Sequence, residues 1–173
     1  MFKLGFSFGY HDSSVSVSRE DYLVGVYSEE RFSRVKHDNR FPEESLSYAI
    51  KIHNICPEEI SNCIYYENPI AKASRIKYQH ENTNDYESYI NKNYAHKSYK
   101  LDPISTISKK LKIPESKVFF TDHHASHVFT ALSLAPESIQ SKDSNLMALT
   151  LDGVGEYTTG TLSTLQALKE DGS

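Results

Sequence analysis

Phe2, Leu4, Phe6 and Phe8 alternate with Lys3, Gly5, Ser7 and Gly9 at the start of the chain. A period of two places all four apolar side chains on one face of an extended segment, which suits a half-buried strand and not an amphipathic helix. Residues 10–12 break the pattern, Val15 and Val17 resume it, and residues 19–21 supply a turn before a third apolar run, residues 22–28. Three strands joined by such short connections predict an antiparallel meander.

Beyond the meander the periodicity changes. Residues 29–41 are polar, cationic and irregular. Pro42 is suited to the first position of a helix, with Glu43 and Glu44 near its positive end, and Leu46, Ala49, Ile50 and His53 follow at helical spacing. Pro57 opens a short acidic segment, and residues 63–66 read as a buried strand. Residues 71–101 are rich in Asn, Lys, Tyr and His and poor in aliphatics, and are expected to form an insertion, lid or partner surface. A helix at 104–111, a strand at 118–120 and a helix at 125–134, stopped before Pro136, come next. A strand at 146–151 is expected to pair with 158–165 around a turn at 152–157. Strands first and then alternating helices and strands predict an α/β layer architecture.

Composition narrows the function classes. The 173 residues, 38% of them hydrophobic, can bury a core, and the net charge of −4 offers no general electrostatic attraction to nucleic acid. No run approaches the roughly 18 apolar residues of a membrane span, and residues 1–8 lack the continuous apolar stretch of a signal peptide. Cys56 and Cys63 are too few for a disulfide framework and are not in CxxC spacing. A soluble, cytoplasmic protein with neither nucleic acid nor membrane as partner is the expectation.

Four segments carry side chains suited to chemistry. In residues 119–127 a strand runs into a helix bearing His123 and His127, four residues apart and so on one helical face, close enough to share a cation; helix capping or packing is the other use of such histidines. His124 points about 100° away from that pair. No Glu stands where the zinc-protease motif HExxH needs one. In residues 149–157 an apolar strand ends at Asp152, followed by Gly153 and Gly155. Asp152 could serve a metal and the glycine N–H groups an anion, or the segment is an ordinary Asp-Gly turn. Residues 10–14 combine His11, Asp12, Ser13 and Ser14 in a tight β-loop suited to an oxyanion or to a plain polar hairpin. Residues 29–42 concentrate Arg31, Arg34, Lys36 and Arg40, as a solvated loop or as a counterpart to an anionic substrate. Gly5-Phe6-Ser7-Phe8-Gly9 fits the GxSxG pattern of hydrolases, but no helix is expected to follow it, and Ser7 reads as the solvent side of a strand.

These segments, GFSFGYHDSS (5–14), SEERFSRVKHDNRFP (28–42), DHHASH (122–127) and LTLDGVGEYTT (149–159), in this order resemble the nodulation-type O-carbamoyltransferases, which include antibiotic-tailoring enzymes. The resemblance runs from Lys3 to about Leu165 and is weakest over 71–101. It implies an N-terminal half of an actin/sugar-kinase-type, ribonuclease-H-like ATPase fold spanning 1–173. It also implies a divalent metal, iron foremost, on His123, His127 and Asp152. The family makes carbamoyl-adenylate from carbamoyl phosphate and ATP in a C-terminal domain, then moves the carbamoyl group to the hydroxyl of a small-molecule acceptor. On that pattern His11 is the candidate general base and Lys36 neutralises developing negative charge. Asp12, Lys36, Gly153, Gly155 and Glu156 are then expected at the nucleotide or carbamoyl group. Family members continue well beyond this length, so the adenylate-forming domain and a distal metal ligand are expected from a partner chain, with a homo-oligomer as the alternative cover for the exposed edge. A non-catalytic nucleotide-binding or regulatory half-domain is the competing expectation.

Overall fold

The computed structural model describes residues 1–20, 22–80, 102–136, 146–153 and 155–165. It divides into two compact units, residues 1–121 and 122–173.

The first unit is built on a mixed five-stranded sheet. Strands β1 (Phe2–Ser7), β2 (Ser14–Arg19) and β3 (Tyr22–Ser28) form the expected antiparallel meander, and β4 (Ile60–Tyr65) and β5 (Val118–Phe120) add in parallel on the other side of β1, in the order β3-β2-β1-β4-β5. The opening alternation sets the register: Leu4 lies opposite Val17 and Phe6 opposite Val15, and all four are buried on one face. Helix α2 (Glu43–His53) delivers Leu46 and Ala49 to that core, and helix α4 (Pro103–Leu111) delivers Ile107 and Leu111. Phe8 fills the end of the core between Phe41 and Tyr65, with ring centroids 5.2 Å and 4.9 Å away.

Pro42 precedes the first turn of α2 instead of opening it; its ψ of 69° is not helical, and the helix begins at Glu43. A cap from far upstream supplies the reason. The buried carboxylate of Glu29, just before the one-turn helix α1 (Glu30–Ser33), accepts the N–H of Glu44 at 3.0 Å and of Ser45 at 2.8 Å. Two of the orphan donors at the start of α2 are thereby satisfied by a negative charge at the positive helix end.

Helix α3 (Pro69–His80) takes up the first ten residues of the stretch expected as an insertion, and Ala71 and Lys72 are buried; residues 81–101 lie outside the described residues. A polar network ties α3 to the strand ends. Lys72 Nζ donates to Glu67 Oε1, and the Tyr65 hydroxyl shares its proton between Glu67 Oε1 and the Phe8 carbonyl, each at 2.9 Å.

The second unit pairs helix α5 (His123–Leu134) with a ribbon of β6 (Leu146–Leu151) and β7 (Gly160–Leu165), antiparallel from Leu146 opposite Leu165 to Leu151 opposite Gly160. The helix starts two residues earlier than expected and β7 two residues later. Thr158 and Thr159 instead close the turn, their carbonyls accepting the N–H groups of Gly155 and Asp152. Among the described residues no helix is long and apolar enough to cross a membrane.

Candidate functional site

In the second unit the HxxxH pair acquires a third member. Asp152, at the end of β6, directs Oδ2 to His123 Nε2 at 2.6 Å and to His127 Nε2 at 3.2 Å, and the two Nε2 atoms are 3.2 Å apart. The helical i, i+4 spacing sets the imidazoles on one face, and the strand end brings the carboxylate to them. Asp152 Oδ1 accepts the Gly153 N–H at 2.6 Å, which fixes the carboxylate. The His123 hydrogen bond, followed by the Gly153 N–H and the His127 hydrogen bond, lowers the Asp152 carboxyl to about 2.

The donor set fits a single cation. Two imidazole nitrogens and one carboxylate oxygen form the three-ligand face associated with non-haem ferrous iron. Cis ligands about 2.1 Å from one ion, at right angles, are separated by about 3 Å, close to the 2.6–3.2 Å triangle formed here. His124 does not join it, as its helical position predicts: it is buried, with Nδ1 3.2 Å from Thr158 Oγ1.

Gly153, Gly155 and Glu156, expected at the nucleotide or carbamoyl group, have structural partners within this unit. A Cβ on Gly155 would lie 2.5 Å from His124 Cε1 and 2.7 Å from the Thr158 carbonyl, so only glycine lets the turn close over that ring. Glu156 Oε1 accepts the His123 N–H at 2.7 Å and so caps α5 from outside the helix. The Gly153 and Gly155 N–H groups are engaged within the turn.

In the first unit the β1–β2 loop and the cationic loop come together. The Gly9 N–H donates to the Asn39 carbonyl at 3.0 Å, the Ser13 N–H to that of Asp38 at 2.7 Å, and Ser13 Oγ to that of Arg40 at 2.6 Å. Asp38 is buried; its two hydrogen bonds from the Arg40 guanidinium, and a third from the Arg40 N–H, hold its carboxyl well below the usual carboxylate range. On this frame Asp12 accepts from His11 Nδ1 at 2.7 Å and His37 Nδ1 at 2.8 Å, and the His37 contact does most to lower its pKa. Lys36 is exposed beside His37 and makes no ion pair among the described residues. The sequence puts His11 and Asp12 in one loop and Lys36 in another, and singles out neither His37 nor Glu29. Their only sequence signal was membership of a charged run, because the partners lie 25 and 15 residues away.

Residues 3–170 match the family model described as the carbamoyltransferase N-terminus. The chain belongs to that family. The nodulation protein NolNO of Sinorhizobium fredii is 24% identical over 159 residues, 88% of this chain and 21% of that protein, which supports the nodulation-type branch. An uncharacterized protein of Synechocystis sp., sll1178, is 29% identical over 168 residues, 92% of this chain and 26% of its own length. The uncharacterized protein MJ1051 of Methanocaldococcus jannaschii is 31% identical over 86 residues. This carbamoyltransferase N-terminal chain thus spans about a quarter or less of the length of the curated relatives it matches. His11, Lys36, His123, His127 and Asp152 all fall within the matched residues.

Proposed function

We propose that this chain is the N-terminal part of an O-carbamoyltransferase, bearing a divalent-metal site and the surface that receives carbamoyl-adenylate. The observation that carries the reading is Asp152 meeting the His123/His127 pair in a chain of this family. The strand order β3-β2-β1-β4-β5, antiparallel first and parallel after, supports the expected half of a ribonuclease-H-like ATPase fold.

His123, His127 and Asp152 would hold iron or a similar divalent ion, which when bound supplies Lewis-acid polarisation of an acyl or phosphate oxygen. The remaining roles belong to the chain's own side chains. His11 takes the proton of the acceptor hydroxyl. The acceptor oxygen bonds to the carbamoyl carbon, the bond from that carbon to the adenylate phosphate oxygen breaks, and AMP leaves with the electron pair. Lys36 offers a cation to the negative charge that develops. Gly153 and Gly155 put backbone without side chains beside the metal ligands, their N–H groups already having acceptors.

The remainder of the enzyme, as a partner chain or as further sequence, would supply the adenylate-forming domain. Met147, Leu149 and Leu151 alternate along β6 with Leu162 opposite Leu149, and all four are exposed. An apolar strip of this kind favours being covered. The test mixes this chain, metal-loaded, with a polypeptide carrying the adenylate-forming domain, ATP, labelled carbamoyl phosphate and a hydroxyl acceptor. Transfer of label to the acceptor is expected; none with any such pair would sink the reading. Failure to bind carbamoyl-adenylate as well would leave a non-catalytic module.

A further inference from the structure

In the first unit one carboxylate pairs with two histidines, and the transfer step described above uses only His11. Asp12 Oδ2 meets His11 Nδ1 at 2.7 Å, and Oδ1 meets His37 Nδ1 at 2.8 Å. An ionised carboxylate has no proton to give, so both Nδ1 atoms must donate. In each neutral ring the proton is therefore on Nδ1 and the lone pair on Nε2, because the hydrogen bond made by one ring nitrogen fixes the state of the other.

Stability does not explain the arrangement. The side chains of His11, Asp12 and His37 are 63%, 49% and 62% exposed, and exposed pairs of this kind contribute little to folding. Asp12 and His37 both have left-handed backbones, with φ of 47° and 55°, a conformation that Asp and His adopt more readily than most residues, so the turns that carry them accommodate the trio. Around the trio, the His37 N–H donates to Glu30 Oε2 at 3.3 Å, and the Tyr10 ring lies 4.7 Å from that of His11.

We propose that Asp12 is a positioning residue that locks His11 and His37 together as Nδ1–H tautomers, making Nε2 of each the proton-accepting atom, with His37 as the buttress that keeps the carboxylate plane fixed. The inference rests on the carbamoyl-transfer reading for its purpose: the acceptor hydroxyl gives its proton to His11 Nε2, and the resulting imidazolium keeps its Nδ1–H on the negative Asp12. The geometry itself is independent of that reading and is tested separately.

The test is a long-range proton–nitrogen NMR spectrum of the imidazoles in the full 15N-labelled chain, with chelator, at about pH 8, above the ordinary histidine range. In wild type both rings are expected with Nδ1 protonated and Nε2 bare. In Asp12→Asn the amide oxygen can hold only one Nδ1–H while its NH2 faces the other ring. One histidine should therefore switch to Nε2–H and the two tautomers should split. His37→Ala should weaken the Nδ1–H preference of His11. A wild-type spectrum with either ring mainly Nε2–H would overturn the proposal without any variant. So would a cation on His37 Nδ1, seen as a shift of that nitrogen between spectra recorded before and after the chelator is added, since the ligand atoms of Asp12, Glu30 and His37 lie within 4.8 Å of one another. A failure of carbamoyl transfer leaves these spectra unchanged, so the two readings fail separately.

Discussion

Replacing Lys72 by Met should be among the most damaging single changes in the first unit, although Lys72 lies outside both candidate sites. Its ammonium is buried and donates to the buried Glu67 carboxylate, which also meets the Tyr65 hydroxyl. Burial and then the Glu67 charge push the Tyr65 hydroxyl far up, so it stays protonated and can only donate or share its one proton. Lys72→Met keeps the side-chain length and leaves Glu67 buried without its counter-charge. Breaking one partner of a buried pair costs about 3–5 kcal/mol, whereas replacing both with apolar groups is often neutral. For a unit of this size that corresponds to a fall in melting temperature on the order of 10–20 °C. The double variant Lys72→Met/Glu67→Leu should recover most of the loss. The sequence has no Trp, so far-UV circular dichroism during urea and thermal unfolding is the assay. The reasoning is refuted if the single variant unfolds within about 0.5 kcal/mol of wild type, or if the double variant is no more stable than the single. Because Tyr65 also reaches the Phe8 carbonyl at the end of the core, the single variant should loosen the loop that carries His11.

Three further outcomes are expected. The Asp38 carboxyl is lowered in the folded state, so its contribution is fully present above the unfolded value near pH 3.9 and is lost as pH falls below it. Asp38→Asn should flatten that acid limb in urea midpoints measured against pH, and an unchanged slope would count against the pairing. Gly155→Ala forces a Cβ against His124 and the Thr158 carbonyl, at a cost of about 1–3 kcal/mol, with displaced His124 resonances as the local signature. His123→Ala/His127→Ala should abolish stoichiometric metal in anaerobically purified protein, measured by elemental analysis; wild-type protein that carries none would contradict the site.

Much of the first unit was legible because its signals are local. The alternation from Phe2 to Phe8 and the two valines of β2 defined a half-buried meander, and the register follows from which side chains must face inward. Helix ends were less legible where the cap came from elsewhere. Pro42 marked the start of α2 only to within a residue because Glu29, not a neighbour, satisfies its first N–H groups. Glu156 does the same at the start of α5. Neither cap lies within the few residues that a local capping motif spans.

The sequence by itself determined that His123 and His127 share a helical face, since a spacing of four is a property of one helix. It also determined that Asp152 ends an apolar strand and that Gly155 stands in a turn. Only the tertiary structure decided that Asp152 closes a three-atom face with that pair, that Gly155 makes room for His124, and that Asp12 joins His11 to His37. Periodicity is written along the chain and survives any folding of the rest. Convergence across 25 or 29 residues depends on where strands reverse and which loops they bring together, and side-chain spacing alone carries no record of that.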